Sequence, residues 1–149
     1  MKRSAELRVL SVQHHHGLVA AQRLRQAVGG KVPLAPAVTQ FLQAWREEIQ
    51  PHFRAEEEIL LPAFAQKVPA DDPLIVRTLT EHVALRRAVR ELERAAVGSQ
   101  QALAREIGQS LDDHIRFEER VLFPAVEAAL EGPSLGELGH ELLAGSQEG

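Results

Sequence analysis

The sequence predicts an all-α fold: an antiparallel up-down-up-down four-helix bundle with a short C-terminal tail helix. Three observations carry this. Four long segments repeat apolar residues every three to four positions. The linkers between them are short and rich in glycine and proline, as antiparallel neighbours require. No segment alternates apolar and polar residues as a half-buried strand would.

The first segment runs from about Ala5 to Val28, with Ser4 placed to cap it and Gly29-Gly30 to stop it. The second starts near Ala35 or Pro36 and continues to about Gln66, where "VPADDP" breaks the chain. Asp72 is a suitable N-cap and Pro73 a suitable first helical residue for the third, which runs to about Ala96. Gly98-Ser99 turns the chain into the fourth, from about Gln100 to Leu130, which ends at Gly132-Pro133. Residues 1–132 are thus read as the bundle. Residues 133–149 are read as a tail with a short amphipathic helix through Leu135, Leu138 and Leu142 and a disordered end.

Composition narrows the chemistry. The chain has no cysteine, which excludes disulfides, thiolate metal sites and a cysteine nucleophile. It has no tyrosine, so no phenolic acid is available. A net charge of -4 with interleaved signs gives no support for nucleic-acid binding. The start "MKRSAELRVL" lacks the apolar region of a signal peptide, and no apolar run approaches the ~20 residues that span a bilayer. A cytoplasmic monomer or small homo-oligomer is expected.

The inward stripes carry the functional signal. The second segment reads Val38, Leu42, Trp45, Ile49, His52, Glu56, Ile59, Ala63, and the fourth reads Leu103, Ile107, Leu111, His114, Glu118, Val121, Ala125. The third reads Ile75, Leu79, His82, Val89, and the first reads Leu7, Leu10, His14, Leu18, Ala21, Val28. Every segment aims one histidine at the core, and two add a glutamate one turn later. Six buried ionisable groups are costly unless paired or metal-bound. They also share a level. His82 and His114 each lie 14 residues from the turn that joins their segments, roughly 21 Å at 1.5 Å per residue. His14 and His52 are nearly level in the same way.

In the run "HHH", neighbouring helical residues point about 100° apart, so the three cannot face one core. His14 falls on the stripe, His16 is the reserve candidate on a rotated stripe, and His15 is assigned to the surface.

An internal repeat reinforces the pattern. "HFRAEEEILLPAF" from His52 and "HIRFEERVLFPAV" from His114 agree at seven of 13 positions, each with an H-x-x-x-E pair on one helical face. Four histidines and two glutamates exceed the needs of one tetrahedral ion. They suit two ions bridged by Glu56 and Glu118, each also held by two histidines, and imidazole with carboxylate fits iron, manganese or zinc.

"HFRAEEEILLP" and "HIRFEERVLFP", with the inward histidines of the first and third segments, resemble the hemerythrin-like, HHE cation-binding family over about Leu7 to Glu127. The resemblance implies a four-helix bundle around a non-haem di-iron centre that binds dioxygen, nitric oxide or peroxide. The leading expectation is a protein that binds, senses or detoxifies such a ligand; the alternatives are a di-iron enzyme with peroxidase- or oxidase-like turnover, or an iron storage or structural metal module. Two departures stand out. Oxygen-carrying members place two histidines a turn apart on the third helix, whereas the neighbours of His82 at that spacing are Thr78 and Arg86. Their last helix uses H-x-x-x-x-D, where this chain has Glu119, one residue beyond the inward Glu118. Reversible oxygen carriage is disfavoured, and a coordination position is left open or filled by water or by Glu57 or Glu81.

Glu57, Glu58 and Glu119 are read as surface charges, with Glu57 and Glu119 the two placed to orient a histidine N–H. Pro51 should bend the second helix just before His52. Pro62 and Pro124 hold matching places in the repeat and shape helix ends or bends. Trp45, Phe53 and Phe117 are read as packing residues.

Overall fold

The computed structural model describes residues 2–148. It contains five helices and, among the described residues, no strand: α1 Arg8–Val28, α2 34–64, α3 Pro73–Arg94, α4 100–129 and α5 Pro133–Glu148. Helices α1 to α4 form the bundle. Pairs between neighbours run in opposite order. Ser11 meets Glu119 while Gln101 meets Val28, and Arg77 stacks on Phe117 while Arg87 meets Glu106.

Asp72 caps α3 as its position predicts, its Oδ1 accepting the Leu74 N–H at 2.9 Å. Ser4 does not cap α1. Its backbone N–H donates to Glu127 at 2.6 Å, which ties the N-terminal arm to α4, and α1 starts at Arg8. The tail is more ordered than expected. Helix α5 is continuous to Glu148, and Leu138 and Leu142 are buried in the same core as Leu7, Leu10 and Leu60. Gly149, the last residue of the expected disordered end, lies outside the described residues.

The inward faces of α2 and α4 differ from the sequence stripe beyond the two glutamates. Leu60 and Phe64 are buried instead of Ile59 and Ala63, and Leu122 and Val126 instead of Val121 and Ala125. The cause is a wide π turn over Glu56–Leu60 and another over Glu118–Leu122, closed by Leu61 N–H to Glu56 and Phe123 N–H to Glu118. A π turn inserts one residue, so each later side chain rotates by about 100°. A third wide turn spans Trp45–Ile49. Each turn precedes a proline by two residues: Pro51, Pro62 and Pro124. A proline has no N–H for the carbonyl four residues back, and its ring clashes with it. That carbonyl belongs to Glu47, Glu58 or Arg120, the middle residue of the wide turn in each case. Widening accommodates the proline without ending the helix.

This register can be checked. Leu122 is fully buried and Val121 is 43% exposed. Leu122→Ala should cost about 2–5 kcal/mol and Val121→Ala less than about 0.5 kcal/mol in urea unfolding. Equal effects would place the α-helical register back in force. On α3, Leu79 is exposed and Thr78 is buried in its place. The Thr78 hydroxyl donates to the Leu74 carbonyl at 2.8 Å, which satisfies it inside the core.

The buried apolar side chains form two clusters. One gathers Leu24, Phe41, Trp45, Phe53, Leu92 and Ile107, among others, and the second gathers Leu10, Leu60, Phe64, Leu122, Phe123 and Leu142. The polar layer lies between them.

Candidate metal centre

Six side chains meet at mid-bundle: His14 from α1, His52 and Glu56 from α2, His82 from α3, His114 and Glu118 from α4. None is more than 5% exposed. Their ligand atoms form two groups. One joins His14, His52, Glu56 and Glu118, and the other joins Glu56, His82, His114 and Glu118. Both carboxylates are therefore common to both histidine pairs. His15 and His16 are exposed, so α1 contributes His14 alone.

The ring orientation of each histidine is fixed from outside. The Nδ1–H of His14 donates to Glu119 at 2.7 Å, that of His82 to Glu57 at 2.7 Å and that of His114 to Glu81 at 2.7 Å. The fourth, His52, donates to the Gln13 Oε1 at 2.6 Å. An acceptor at Nδ1 sets the tautomer and turns the Nε2 lone pair inward, the usual support for a metal-ligating imidazole. The supports follow a near two-fold pattern. The residue before His14 or His82 holds the histidine of the next helix. The residue after Glu56 holds His82, and the residue after Glu118 holds His14. Gln13 stands where the pattern has Glu81, which makes the His52 side the less charged one.

Glu57 and Glu119 are thus not free surface charges. Glu57 is bound by Arg86 at 3.1 Å and Glu119 by the Ser11 hydroxyl at 2.8 Å. Glu57 and Glu81 belong to neither group of ligand atoms, and each accepts from a histidine Nδ1. Glu58 is exposed. Two aromatic rings lock the imidazoles further: Phe53 stacks on His82 at 3.9 Å between centroids, and Phe123 on His14 at 5.0 Å. Trp45 packs edge-on against Phe53.

The centre has the marks of a cation site. His52 Nε2, His82 Nε2, His114 Nε2, both oxygens of Glu56 and Glu118 Oε2 are buried without a hydrogen-bond partner. Buried polar atoms are rarely left so. Two ligand atoms about 2.1 Å from one ion lie about 3.0 Å apart at a right angle and about 3.4 Å apart at the tetrahedral angle. His52 Nε2 and His82 Nε2 lie 3.1 Å from Glu56 oxygens, and His114 Nε2 lies 3.4 Å from Glu118. His14 Nε2 lies 2.8 Å from Glu118 and 3.6 Å from Glu56. The residues present fit metal cations held by imidazoles and by the carboxylates of Glu56 and Glu118.

Without cations, protons must hold this layer together. Burial works against a charged His114, but the Glu118 carboxylate beside it prevails and its pKa is pushed up to about 10. Burial likewise opposes charge on His14 and His82, yet their carboxylate neighbours raise both. Burial would raise Glu56, but the surrounding histidines hold it well below the usual carboxylate range. A raised histidine stabilises the fold fully below its unfolded value of 6.5, and that contribution fades as pH climbs toward about 10. The lowered Glu56 contributes above its unfolded value of 4.5 and loses this on acidification. The metal-free chain should therefore lose thermal stability between pH 6.5 and 10. Metal loading at pH 7 should release protons, with affinity rising with pH. Proton release follows from calorimetry in buffers of different ionisation enthalpy. A buffer-independent heat contradicts this account.

Two cavities reach the layer. One of about 620 Å³, between α1, α2 and α5, touches His52, Gln13, His16 and Leu142. A smaller one of about 210 Å³ touches His114 and Glu81, which match His52 and Gln13 in the near two-fold pattern. No helix among the described residues is long and apolar enough to cross a membrane.

A helical bundle enclosing histidines and shared carboxylates in one buried layer defines a cation-binding domain. The model of the hemerythrin HHE cation binding domain matches residues 6–126, and the chain belongs to that family. No curated protein and no solved structure matches the chain. The sequence stripe brought all six central residues forward. It missed Gln13, whose contact lies on the neighbouring helix, and Phe123, whose inward turn depends on the π register.

Proposed function

We propose that this chain holds two iron ions between Glu56 and Glu118, and that the pair binds a small ligand, dioxygen, nitric oxide or peroxide, in sensing or detoxification. The observation that carries this is the sharing of both carboxylates by both histidine pairs. His14 and His52 would hold one ion and His82 and His114 the other. Iron supplies a redox couple and an affinity for small diatomic and peroxide ligands, which zinc does not. The chain's own part is to fix the donors. Gln13, Glu57, Glu81 and Glu119 set the imidazole tautomers, Phe53 and Phe123 hold the rings flat, and the two apolar clusters flank the layer. Manganese or zinc would suit the same donors but would lose one or both iron properties.

The cavity at His52 favours a second reading, redox turnover with peroxide. At about 620 Å³ it is far larger than a diatomic ligand needs, and it would seat an organic reductant beside the centre. Tag-free protein, loaded anaerobically with ferrous iron, separates the two. Absorption bands that change on adding dioxygen or nitric oxide, without multiple turnovers of peroxide, support the first. Sustained peroxide consumption with an organic donor supports the second. Full helicity with no uptake of iron would sink both.

A further inference from the structure

A second feature lies outside the metal layer, in the groove between α2 and α3. Arg86, Arg90 and Arg94 stand at i, i+4 and i+8 on one face of α3, opposite Arg46 and Gln50 at i and i+4 on α2. Like charges at this spacing oppose helix formation. Some helix arginines outside the groove meet carboxylates: Arg77 with Glu81, Arg87 with Glu91 and Glu106, Arg116 with Asp112. Here Arg46, Arg90 and Arg94 have no carboxylate within 4.0 Å among the described residues, although the whole chain carries a net charge of -4. The one acid in the groove is Glu93. The groove is a cavity of about 450 Å³ floored by the buried Trp45 and Val89.

The geometry points to a binding site for a small phosphate-class anion in this groove. Guanidinium forks pair with phosphate oxygens two at a time, and four of them around one cavity match a group with two or more negative charges. The Gln50 amide adds a neutral donor, and the cavity leaves room for an organic portion over Trp45 and Val89.

The site is joined to the polar layer through Arg86. Its Nη2 donates to both Glu57 oxygens at 3.1 and 3.3 Å, and Glu57 in turn accepts the His82 Nδ1–H at 2.7 Å. An anion in the groove competes with Glu57 for this guanidinium. The anion site does not depend on the identity of the metal, so it can be tested in metal-free protein.

The probe is inorganic pyrophosphate, titrated into the metal-free full chain by calorimetry at about 0.15 M salt, where exposed charges are already screened beyond about 8 Å. Saturable one-to-one binding is expected. Arg90→Gln with Arg94→Gln should weaken it at least about tenfold. Arg23→Gln with Arg105→Gln, the same charge change at exposed positions outside the groove, should leave it within about twofold. Glu57→Gln, which releases Arg86, should tighten it about threefold or more. No saturable binding by the parent chain, or equal weakening by both arginine pairs, overturns the site. Unchanged or weaker binding in Glu57→Gln overturns the sharing of Arg86.

Discussion

Glu56→Ala combined with Glu118→Ala should leave a folded helical chain that retains no iron. Each carboxylate serves both histidine pairs, so the double change removes half of the donors from both ion positions at once. What remains is two imidazoles at each. Loss of even an outer support of a ligand costs about 10–100-fold in metal affinity, and loss of two direct ligands per ion should exceed that at both positions. The contrast is Glu57→Ala. It removes the support of His82 and the Arg86 pairing but leaves the other three histidine supports in place, and it should weaken the ion on the His82 and His114 side by about 10–100-fold while sparing the other. Metal analysis after desalting checks both. A double variant that keeps two ions would show that the carboxylates do not bridge. Circular dichroism on the same samples distinguishes lost binding from lost fold.

Phe53→Ala is expected to be the most damaging single substitution outside the ligands. Phe53 is 1% exposed, stacks on His82, and meets Trp45 and His114 edge-on. Removing a buried phenylalanine costs about 3–5 kcal/mol, cavity included, and a domain of this size loses about 2–4 °C in Tm per kcal/mol. A fall of about 10 °C or more is expected in the metal-free chain. The ring also holds His82 flat against the core, so the ion on that side should be released first. Phe53→Leu should recover most of the stability and little of that ion's affinity, because it fills volume without a stacking face. Equal recovery of both would reduce Phe53 to a packing residue.

How far the sequence could be read follows from what each signal depends on. The six central residues were legible because burial and level are both properties of helical period and of distance from a turn. The repeat from His52 and His114 showed that two helices present the same pair. The supports were harder. Glu57 and Glu119 adjoin the central glutamates Glu56 and Glu118, yet only the approach of α3 and α1 turns them from solvated charges into acceptors for Nδ1. Gln13 precedes His14 as Glu81 precedes His82, but nothing in α1 alone points it toward His52. The register beyond Glu56 and Glu118 shifted because Pro62 and Pro124 widen the preceding turn instead of ending the helix. Their matching places in the repeat were the available clue. Thr78 replaced Leu79 in the core because its hydroxyl finds an acceptor within its own helix, which a reading based on hydrophobicity alone does not credit. The expected helix through Leu138 and Leu142 is present, both residues being buried against the bundle, and it continues to Glu148.

Two ions held through two shared carboxylates by one layer of six side chains imply a fixed stoichiometry. Anaerobic titration of ferrous iron into tag-free, metal-free protein, followed by metal analysis, tests it most directly. Retention of two ions per chain is expected, with both lost in the double glutamate variant. Saturation at a single ion per chain, or two ions retained without Glu56 and Glu118, would contradict it.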